Sequence, residues 1–266
     1  MKLLLAILLG TVGACGGAAQ PAELRFGTTH TVEQSGALAV LDSLTTPAPL
    51  AVVVAPSGQI LHAAAAGDLD VVLTHAPALE QRLLVAPGHA LLRCPLVVSR
   101  FAIVGPASDP AQAARARSAA DAFARIAAAR APFVSRGDSS GTHEKELSFW
   151  TAGAFTRDRA PWYVQAGTDQ AATLRIAGER QAYALADLPT FDRTAAPDLR
   201  ILFTADTALR NRYTLYVVRT SQPHLGASTF GRWAIGVWRE RLLARRLPDG
   251  TPAFIAPQER DGCAQL

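Results

Sequence analysis

The chain has 266 residues and a mass of 28.1 kDa, of which 49% are hydrophobic and 18% charged, with a formal net charge of +4. This length is sufficient for one large domain or for two lobes of ordinary size. The small positive charge comes from scattered arginines without a basic stripe or interleaved aromatic residues, which argues against a nucleic-acid-binding protein.

The N-terminus has the pattern of a targeting segment. Residues 1–10 combine one lysine with a short apolar run that is too short to span a bilayer. The segment ends in Val12-Gly13-Ala14-Cys15, which is similar to a bacterial lipoprotein cleavage box with Cys15 as the lipidated residue. The alternative is ordinary cleavage just after Ala14, which would release a soluble product. We predict that residues 1–20 form a signal peptide and tether, and that the mature protein lies in the periplasm or at the cell surface.

Short strand-like runs alternate with helix-like runs in the first third of the chain. This alternation favours a parallel sheet with helices on both faces. The predicted elements are, in order, strand 24–27, helix 34–43, strand 50–55, helix 59–66 and strand 71–74.

The rest of the chain continues in the same manner, without an internal repeat or a long linker. The predicted elements are an extended run over 96–104, helix 111–129, strand 133–135, helix 144–154, helix 171–178, an extended run over 182–186, strands 199–203 and 213–219, and helix 230–243.

Two cysteines, Cys94 and Cys263, remain beyond the leader. In an oxidising compartment they could pair. The alternative is that Cys94, which lies in an apolar run, is a buried structural thiol. The spacing of the two residues does not decide between these readings, and it does not indicate a zinc site.

Polar residues follow three of the predicted strands, at Thr28-Thr29, at Ser57-Gly58 and in the segment 135–143. In open α/β sheets, ligands bind beyond the carboxyl ends of the strands. The sequence of segment 135–143 is Ser-Arg-Gly-Asp-Ser-Ser-Gly-Thr-His, which offers a fixed cation and several hydroxyls just before a predicted helix. Unpaired backbone N–H groups and the helix dipole favour negative charge at such a position. The sequence therefore predicts capture of an oxyanion.

Four motifs follow one another in an order that is typical of one family. They are Thr28-Thr29-His30-Thr31 with Ser35-Gly36, Ser57-Gly58-Gln59, His75-Ala76-Pro77, and the stretch from Ala131 to His143. Together they resemble the tungstate-binding proteins of bacterial ABC uptake systems, which belong to the type II periplasmic binding protein superfamily. The resemblance covers roughly residues 24 to 220, and the last motif is the most specific.

The resemblance implies an α/β fold of two lobes, each a mostly parallel sheet flanked by helices, with the anion held in the cleft between them. We expect lobe 1 to comprise residues 21–103 plus 205–266, and lobe 2 residues 104–204. The implied function is that of an extracytoplasmic solute-binding protein that captures tungstate and delivers it to an ABC permease in the inner membrane. The alternatives are a molybdate- or phosphate-binding protein and a non-transport lipoprotein that senses an oxyanion. A cofactor is not implied, and a lipid anchor would be the only contact with the membrane.

The resemblance also carries a set of binding residues onto this chain. His30 and Val32 stand where the family usually has hydroxyl residues, and Ala76 replaces its usual acid. His30 could donate a hydrogen bond to the anion or face away from it. The predicted oxyanion-binding residues are Thr28, Thr29, Thr31, Arg136 and Thr142 from the family motifs, with Ser57 by its position and Ser140 from the central motif.

An enzyme is the main alternative class. The segment 137–141 echoes the nucleophile motif of trypsin-like proteases, but Ser140 stands where those enzymes have glycine. That chemistry also needs a histidine base and an aspartate around the serine, and the region of His62 has no matching motif. We therefore predict a binding protein rather than an enzyme, and we expect His75 and His143 to be structural rather than ligands of a metal cation.

Overall fold

The computed structural model describes residues 23–152, 160–258 and 262–266. The strands are β1 (Leu24–Thr28), β2 (Leu50–Val54), β3 (Val71–Thr74), β4 (Ala90–Pro106), β5 (Phe133–Ser135), β6 (Tyr163–Gln165), β7 (Ala184–Asp187), β8 (Leu199–Phe203), β9 (Arg210–Val218) and β10 (Ala264–Gln265). The helices are α1 (His30–Gln34), α2 (Ala37–Asp42), α3 (Ser57–Ala66), α4 (Pro77–Glu80), α5 (Ala119–Ala128), α6 (Gly141–Ala152), α7 (Gln170–Glu179), α8 (Leu188–Arg193), α9 (Ala227–Trp233) and α10 (Arg239–Leu243). Short π-helical segments, Gln81–Val85 and Ala234–Trp238, continue α4 and α9.

The first sheet is built on β1, which pairs in parallel with β2 on one side and with β3 on the other. β9 and β4 extend the sheet in antiparallel orientation, with Val71 of β3 opposite Val217 of β9. The β3 sequence Val-Val-Leu-Thr is buried throughout, as expected for a strand covered on both faces. Phe26 packs on one face against Phe230 and Trp238, at ring-centroid distances of 5.6 and 6.2 Å.

A second group of strands forms around the C-terminal part of β4, which pairs with β7 and β8 in antiparallel orientation. β5 and β6 make a parallel pair beside it. The core here is aromatic, with the Trp150 ring 4.5 Å from that of Phe123 and 5.1 Å from that of Phe133. The Trp150 indole donates to the buried Glu146 carboxylate at 2.8 Å, so this polar group is satisfied inside the core. The core fixes β5, whose carboxyl end leads into the central motif.

β4 is the strand that joins the two groups. Its residues 90–100 pair with β9, whereas residues 101–106 pair with β7 and β8. The chain returns from β8 to β9 through residues 204–209. We propose that the lobe boundaries follow these crossings, with lobe 1 as 21–103 plus 205–266 and lobe 2 as 104–204.

The α/β alternation is confirmed, and several elements differ in extent from the prediction. The expected helix over 34–43 is divided into α1 and α2 because Gly36 adopts a φ of 80°, outside the helical region. The expected helix over 111–129 begins only at Ala119, because the Ser118 side chain caps it by accepting from the Asp121 N–H. The helix expected over 144–154 begins at Gly141, and residues 153–154 lie outside the described part of the chain. Sequence patterning missed four short elements, α4, β6, α8 and β10.

Cys94 and Cys263 form a disulfide, so the first of the two alternatives for these residues holds. The disulfide attaches the segment before β10 to β4, and β10 pairs with β4 in antiparallel orientation. Cross-links of this kind typically add about 2–4 kcal/mol to the free energy of unfolding. Across the ranges that the structure covers, none of the helices has both the length and the apolar character needed to cross a membrane.

Candidate functional site

The carboxyl end of β1 supplies three buried threonines. Thr28 donates from its hydroxyl to the carbonyl oxygen of Leu73 at 3.2 Å. Thr29 caps α1, where its hydroxyl oxygen accepts from the Val32 N–H at 3.3 Å. Thr31 points across to lobe 2, and its hydroxyl oxygen accepts from Arg136 at 2.9 Å. Thr29 and Thr31 therefore keep their hydroxyl hydrogens, which could be donated to an anion.

The central motif forms a tight loop between β5 and α6. Gly137 has a φ of 62°, and a Cβ there would lie 2.8 Å from the Gln165 Cβ atom, so a larger residue does not fit. The Asp138 carboxylate accepts from the Ser140 N–H at 3.1 Å. Ser140 in turn accepts from the His143 N–H at 3.2 Å and so caps α6. The loop is thus held in place by its own polar side chains.

Arg136 lies at the centre of this arrangement and is only 2% exposed. Its Nη1 donates to Thr31, and its Nη2 donates to the Asp138 carboxylate at 2.5 Å. Burial lowers the pKa of Arg136, and the neighbouring Asp138 charge opposes that shift. Because arginine keeps its proton in proteins, this is a buried fixed cation paired with one carboxylate.

The two lobes are in contact across the cleft. Ser57 of lobe 1 accepts from the Gly141 N–H at 3.1 Å. The Gln34 side chain accepts from the Ala171 N–H at 3.1 Å, and the Arg136–Thr31 hydrogen bond also crosses the cleft. These bonds join loops that are distant in sequence and define a closed arrangement.

The structure brings most of the predicted set together at this junction, and every member of the set is buried. Thr31 and Arg136 are bonded directly, and Ser57 is bonded to the residue before Thr142. The seven residues in question are Thr28, Thr29, Thr31, Ser57, Arg136, Ser140 and Thr142.

Several buried polar atoms in this region have no hydrogen-bond partner among the described residues. They are Arg136 Nε, Thr142 Oγ1, Ser135 Oγ and His75 Nε2. A buried polar group left unpaired costs about 1–3 kcal/mol, so such a concentration marks a place where a ligand would stabilise the protein. Sequence reasoning missed Ser135 and left His75 as structural. The available signal was their position, because each stands at or just after the carboxyl end of a strand.

The loop after β3 is organised differently from what the family motif suggests. Ala76 has no carboxylate, but its backbone N–H donates to the buried Glu80 side chain at 2.9 Å. Thr74 and Tyr216 donate to the same carboxylate at 2.8 and 3.0 Å. Burial raises the pKa of Glu80, and these hydrogen bonds counteract that shift. Glu80 thus holds the loop that carries His75.

The His75 ring is buried, and one of its two nitrogens is hydrogen-bonded to a residue of lobe 1. Its Nδ1 lies 3.1 Å from the Asn211 Oδ1 atom. Burial lowers the pKa of His75 to about 3, and the Arg136 charge contributes to the shift. The imidazole is therefore neutral at physiological pH in this closed arrangement.

His30, the other histidine of the motifs, lies at the edge of the cleft. Its side chain is one-third exposed, and its Nδ1 lies 3.6 Å from the Glu33 carboxylate. Of the two alternatives for His30, this geometry favours the one in which the ring faces away from the buried donors.

The comparisons with known proteins agree with this architecture. A family model described as a PBP superfamily domain matches residues 16–236. The chain is 30% identical to the solved tungstate-binding protein TupA from Desulfovibrio alaskensis G20, with a TM-score of 0.72 over 90% of this chain and 100% of that one. The predicted two-lobed type II periplasmic binding protein fold is thereby confirmed.

Two curated relatives have similar descriptions. A candidate ABC transporter anion-binding protein of Haloferax volcanii is 36% identical over 80% of this chain and 64% of its own length. The tungstate-binding protein TupA of Peptoclostridium acidaminophilum is 34% identical over 76% of this chain and 73% of its own length. The chain thus spans slightly less than two thirds of the first relative and more than two thirds of the second.

Gly141 lets the two lobes approach, and substitution there should prevent closure. A Cβ atom on Gly141 would lie 2.6 Å from both the Nδ1 and the carbonyl oxygen of His75. Overpacking of this kind costs about 1–3 kcal/mol, so we expect Gly141→Ala to weaken the binding of an anion held in the closed cleft about 5- to 150-fold by calorimetry. Small-angle scattering should also give a larger radius of gyration with ligand than the parent protein has.

Gly236→Ala is the matched control, because a Cβ there meets nothing within 4 Å. It should bind as the parent does. Equal affinities of Gly141→Ala and the parent would contradict the closed arrangement described above.

Proposed function

This chain belongs to the PBP superfamily, and on that premise we propose that it is an extracytoplasmic solute-binding protein that captures tungstate for an ABC transporter. The observation that carries the proposal is the buried Arg136 guanidinium, which bridges to Thr31 across the cleft while its Nε has no partner among the residues that the structure describes. Two relatives with at least 30% identity are named as tungstate-binding proteins, and they determine the choice of ligand.

The chemistry of the donors fits a small dianion. Tungstate is unprotonated at neutral pH and only accepts hydrogen bonds. Arg136 offers a planar fork of N–H groups with a permanent charge, and hydroxyls provide further donors without adding charge. We propose that the anion is bound by Arg136 together with Thr28, Thr29, Thr31, Ser57, Ser140 and Thr142, where the Thr28 hydroxyl would have to leave the Leu73 carbonyl oxygen in order to donate to the anion.

The magnitudes are adequate for tight binding. Each charge-assisted hydrogen bond contributes about 1.5–3 kcal/mol net. About five or six of them, less the cost of immobilising the ligand, reach on the order of −12 kcal/mol, which corresponds to a nanomolar dissociation constant.

Asp138 bears on the choice between an unprotonated and a protonated anion. A buried site for hydrogen phosphate benefits from an acceptor for the ligand's proton. Both Asp138 oxygens already accept hydrogen bonds, one from Arg136 and one from the Ser140 N–H. This commitment supports tungstate over phosphate.

The relatives are named as binding proteins, and we propose that this chain likewise has no catalytic activity. Its partner would be the permease subunit of an ABC transporter in the inner membrane. We also propose that residues 1–20 direct export and that Cys15 carries a lipid anchor; these residues lie outside the described part of the chain.

Calorimetry with tungstate, molybdate, sulfate and phosphate tests the proposed ligand. We expect one site per chain with a nanomolar dissociation constant for tungstate, and binding at least 100-fold weaker for sulfate and phosphate, about 2.7 kcal/mol. Tight binding of phosphate without any heat from tungstate would overturn the proposal.

Replacement of Arg136 tests the site itself. Removing one partner of a buried charged hydrogen bond costs about 2–5 kcal/mol, so Arg136→Ala should weaken tungstate binding about 30- to 5000-fold. Arg136→Lys keeps the charge but loses the fork, and should give an intermediate loss. Arg175→Ala, at an exposed position on α7 of the same lobe, is the control and should leave the affinity unchanged. An unaltered dissociation constant in a folded Arg136→Ala variant would place the site elsewhere.

The lipid anchor has its own test. When the full-length precursor is expressed in a bacterium supplied with a labelled fatty acid, the parent should take up the label and Cys15→Ser should not. Cys94→Ser serves as the control and should remain labelled. A parent protein that never takes up label would show that ordinary signal cleavage operates instead.

A further inference from the structure

A chain of hydrogen bonds fixes the imidazole of His75 in one tautomer. The Asp187 carboxylate, which is fully buried, accepts from the Asn211 amide nitrogen at 2.9 Å. That bond orients the amide, so the Asn211 oxygen faces His75 Nδ1, 3.1 Å away. An amide oxygen only accepts, and the hydrogen of the neutral ring is therefore on Nδ1. His75 Nε2 is left as a bare base.

The remaining contacts of Asp187 keep this orientation rigid. Its carboxylate also accepts from three hydroxyls. Burial raises the pKa of Asp187, and these hydrogen bonds counteract that shift. The three hydroxyl donors are Ser99, Thr190 and Tyr213.

The bare nitrogen is buried in the candidate site region. His75 follows β3 directly, at the sheet edge where Thr28 and Thr29 end β1. The ring is packed against Gly141 of α6, with Nδ1 and Cε1 2.6 and 2.7 Å from the position that a Cβ on Gly141 would occupy. Thr142 follows, and within the described ranges neither its hydroxyl nor His75 Nε2 has a hydrogen-bond partner. Because Nε2 is bonded to Cε1, it also lies close to the first residues of α6.

The charges of the site do not balance a dianion. The Arg136 cation is already paired with the Asp138 carboxylate, and the other predicted contacts are uncharged hydroxyls. Among these contacts no unpaired charge offsets a dianion, so its lost hydration would be replaced only by hydrogen bonds and by the N-terminal end of α6. His75 Nε2 is a buried base that could supply the missing charge without any change in its bond to Asn211.

We propose that His75 takes up one proton at Nε2 when the dianion binds and then donates a hydrogen bond to it as an imidazolium. The proton comes from solvent and returns to solvent when the anion leaves, so that neutral His75, one proton and the dianion combine into the complex. This inference rests on the proposed function and deepens it.

The other charged groups around His75 set the direction of the effect. In the closed arrangement without the anion, burial and the Arg136 charge hold the pKa of His75 at about 3, while Asp138 acts in the opposite direction. Asp187 acts only through Asn211. A dianion beside the ring opposes the Arg136 charge and raises the pKa. A cavity of about 340 Å³ next to His75 is lined by further charged groups, namely Glu144, Lys145, Arg210 and Arg212.

Proton uptake by His75 would make the affinity for the dianion depend on pH. Wherever His75 is neutral in the free protein and protonated in the complex, the dissociation constant rises tenfold for each unit of increase in pH. A site without such a proton would show no slope above pH 7, where tungstate is fully ionised.

Calorimetry in pairs of buffers with different ionisation enthalpies measures the proton uptake directly. With the full mature chain and micromolar tungstate, we expect about one proton bound per anion near pH 7, and a dissociation constant that rises towards pH 8.5. Tight tungstate binding with zero uptake at pH 7 would overturn this inference and leave the proposed function intact. Absence of tungstate binding would contradict both.

Variants identify the group that takes the proton. His75→Gln places a neutral amide near the Nε2 position, and His75→Asn places one near Nδ1, where it can still bond to Asn211. Both should weaken binding at pH 7 at least tenfold and abolish the proton uptake. His62→Gln, at an exposed position on α3, should keep the uptake of the parent.

Folding of each variant is checked by its thermal midpoint. If either His75 variant is folded and still takes up a proton with the anion, Asp138 or another group is responsible and the inference fails. The buffer experiment on the parent remains decisive if both variants fail to fold.

Discussion

The fold depends at its centre on one buried guanidinium, that of Arg136. A cation can be removed from water only when hydrogen bonds and opposite charge replace its hydration. Here Asp138 supplies the charge from the same loop, but Thr31 must come from the other lobe. Closure of the cleft and completion of the Arg136 environment are therefore one event. An anion that contacts Arg136 from the cleft would stabilise the closed arrangement more than an open one. A ligand shifts the equilibrium between open and closed forms only through such a difference in affinity.

Small residues make this closure geometrically feasible. Gly141 lies against His75, and Gly137 lies against Gln165 with a backbone conformation that L-residues rarely adopt. Around them, threonine and serine hydroxyls are short enough to remain inside the closed cleft and still reach backbone groups. The central motif therefore meets a steric requirement of the closed cleft and also provides hydrogen-bond donors. One residue type provides the space and another provides the hydrogen bonds.

The sequence was sufficient to predict the alternating strands from local patterns such as apolar runs closed by hydroxyls and glycine, and the two-lobed fold from the order of the family motifs. It did not predict the antiparallel placement of β4 and β9, which is set by pairing between distant segments. It also missed the role of Glu80 in the loop after β3, where the motif has alanine at position 76. The carboxylate of Glu80, four residues further on, accepts from the Ala76 N–H, a contact that only the three-dimensional arrangement reveals. The seven predicted binding residues stay a proposal, since their burial fits the role without demonstrating contact with an anion.

Asp187 connects β4, the strand that joins the two groups, to the cleft. It accepts from Ser99 on β4 and from Asn211 at the start of β9, and Asn211 holds His75. In the closed arrangement Gly141 of lobe 2 lies against the His75 ring, so closure contributes to the burial that lowers its pKa. In an open cleft, water would reach the ring and its pKa would return towards the ordinary value of about 6.5. Closure without an anion must then expel any proton on Nε2, whereas closure around a dianion retains it. If His75 has the proposed role, a lower pH therefore disfavours closure of the cleft without an anion and favours closure around a bound dianion. The protonation of Nε2 would then distinguish the two closed states.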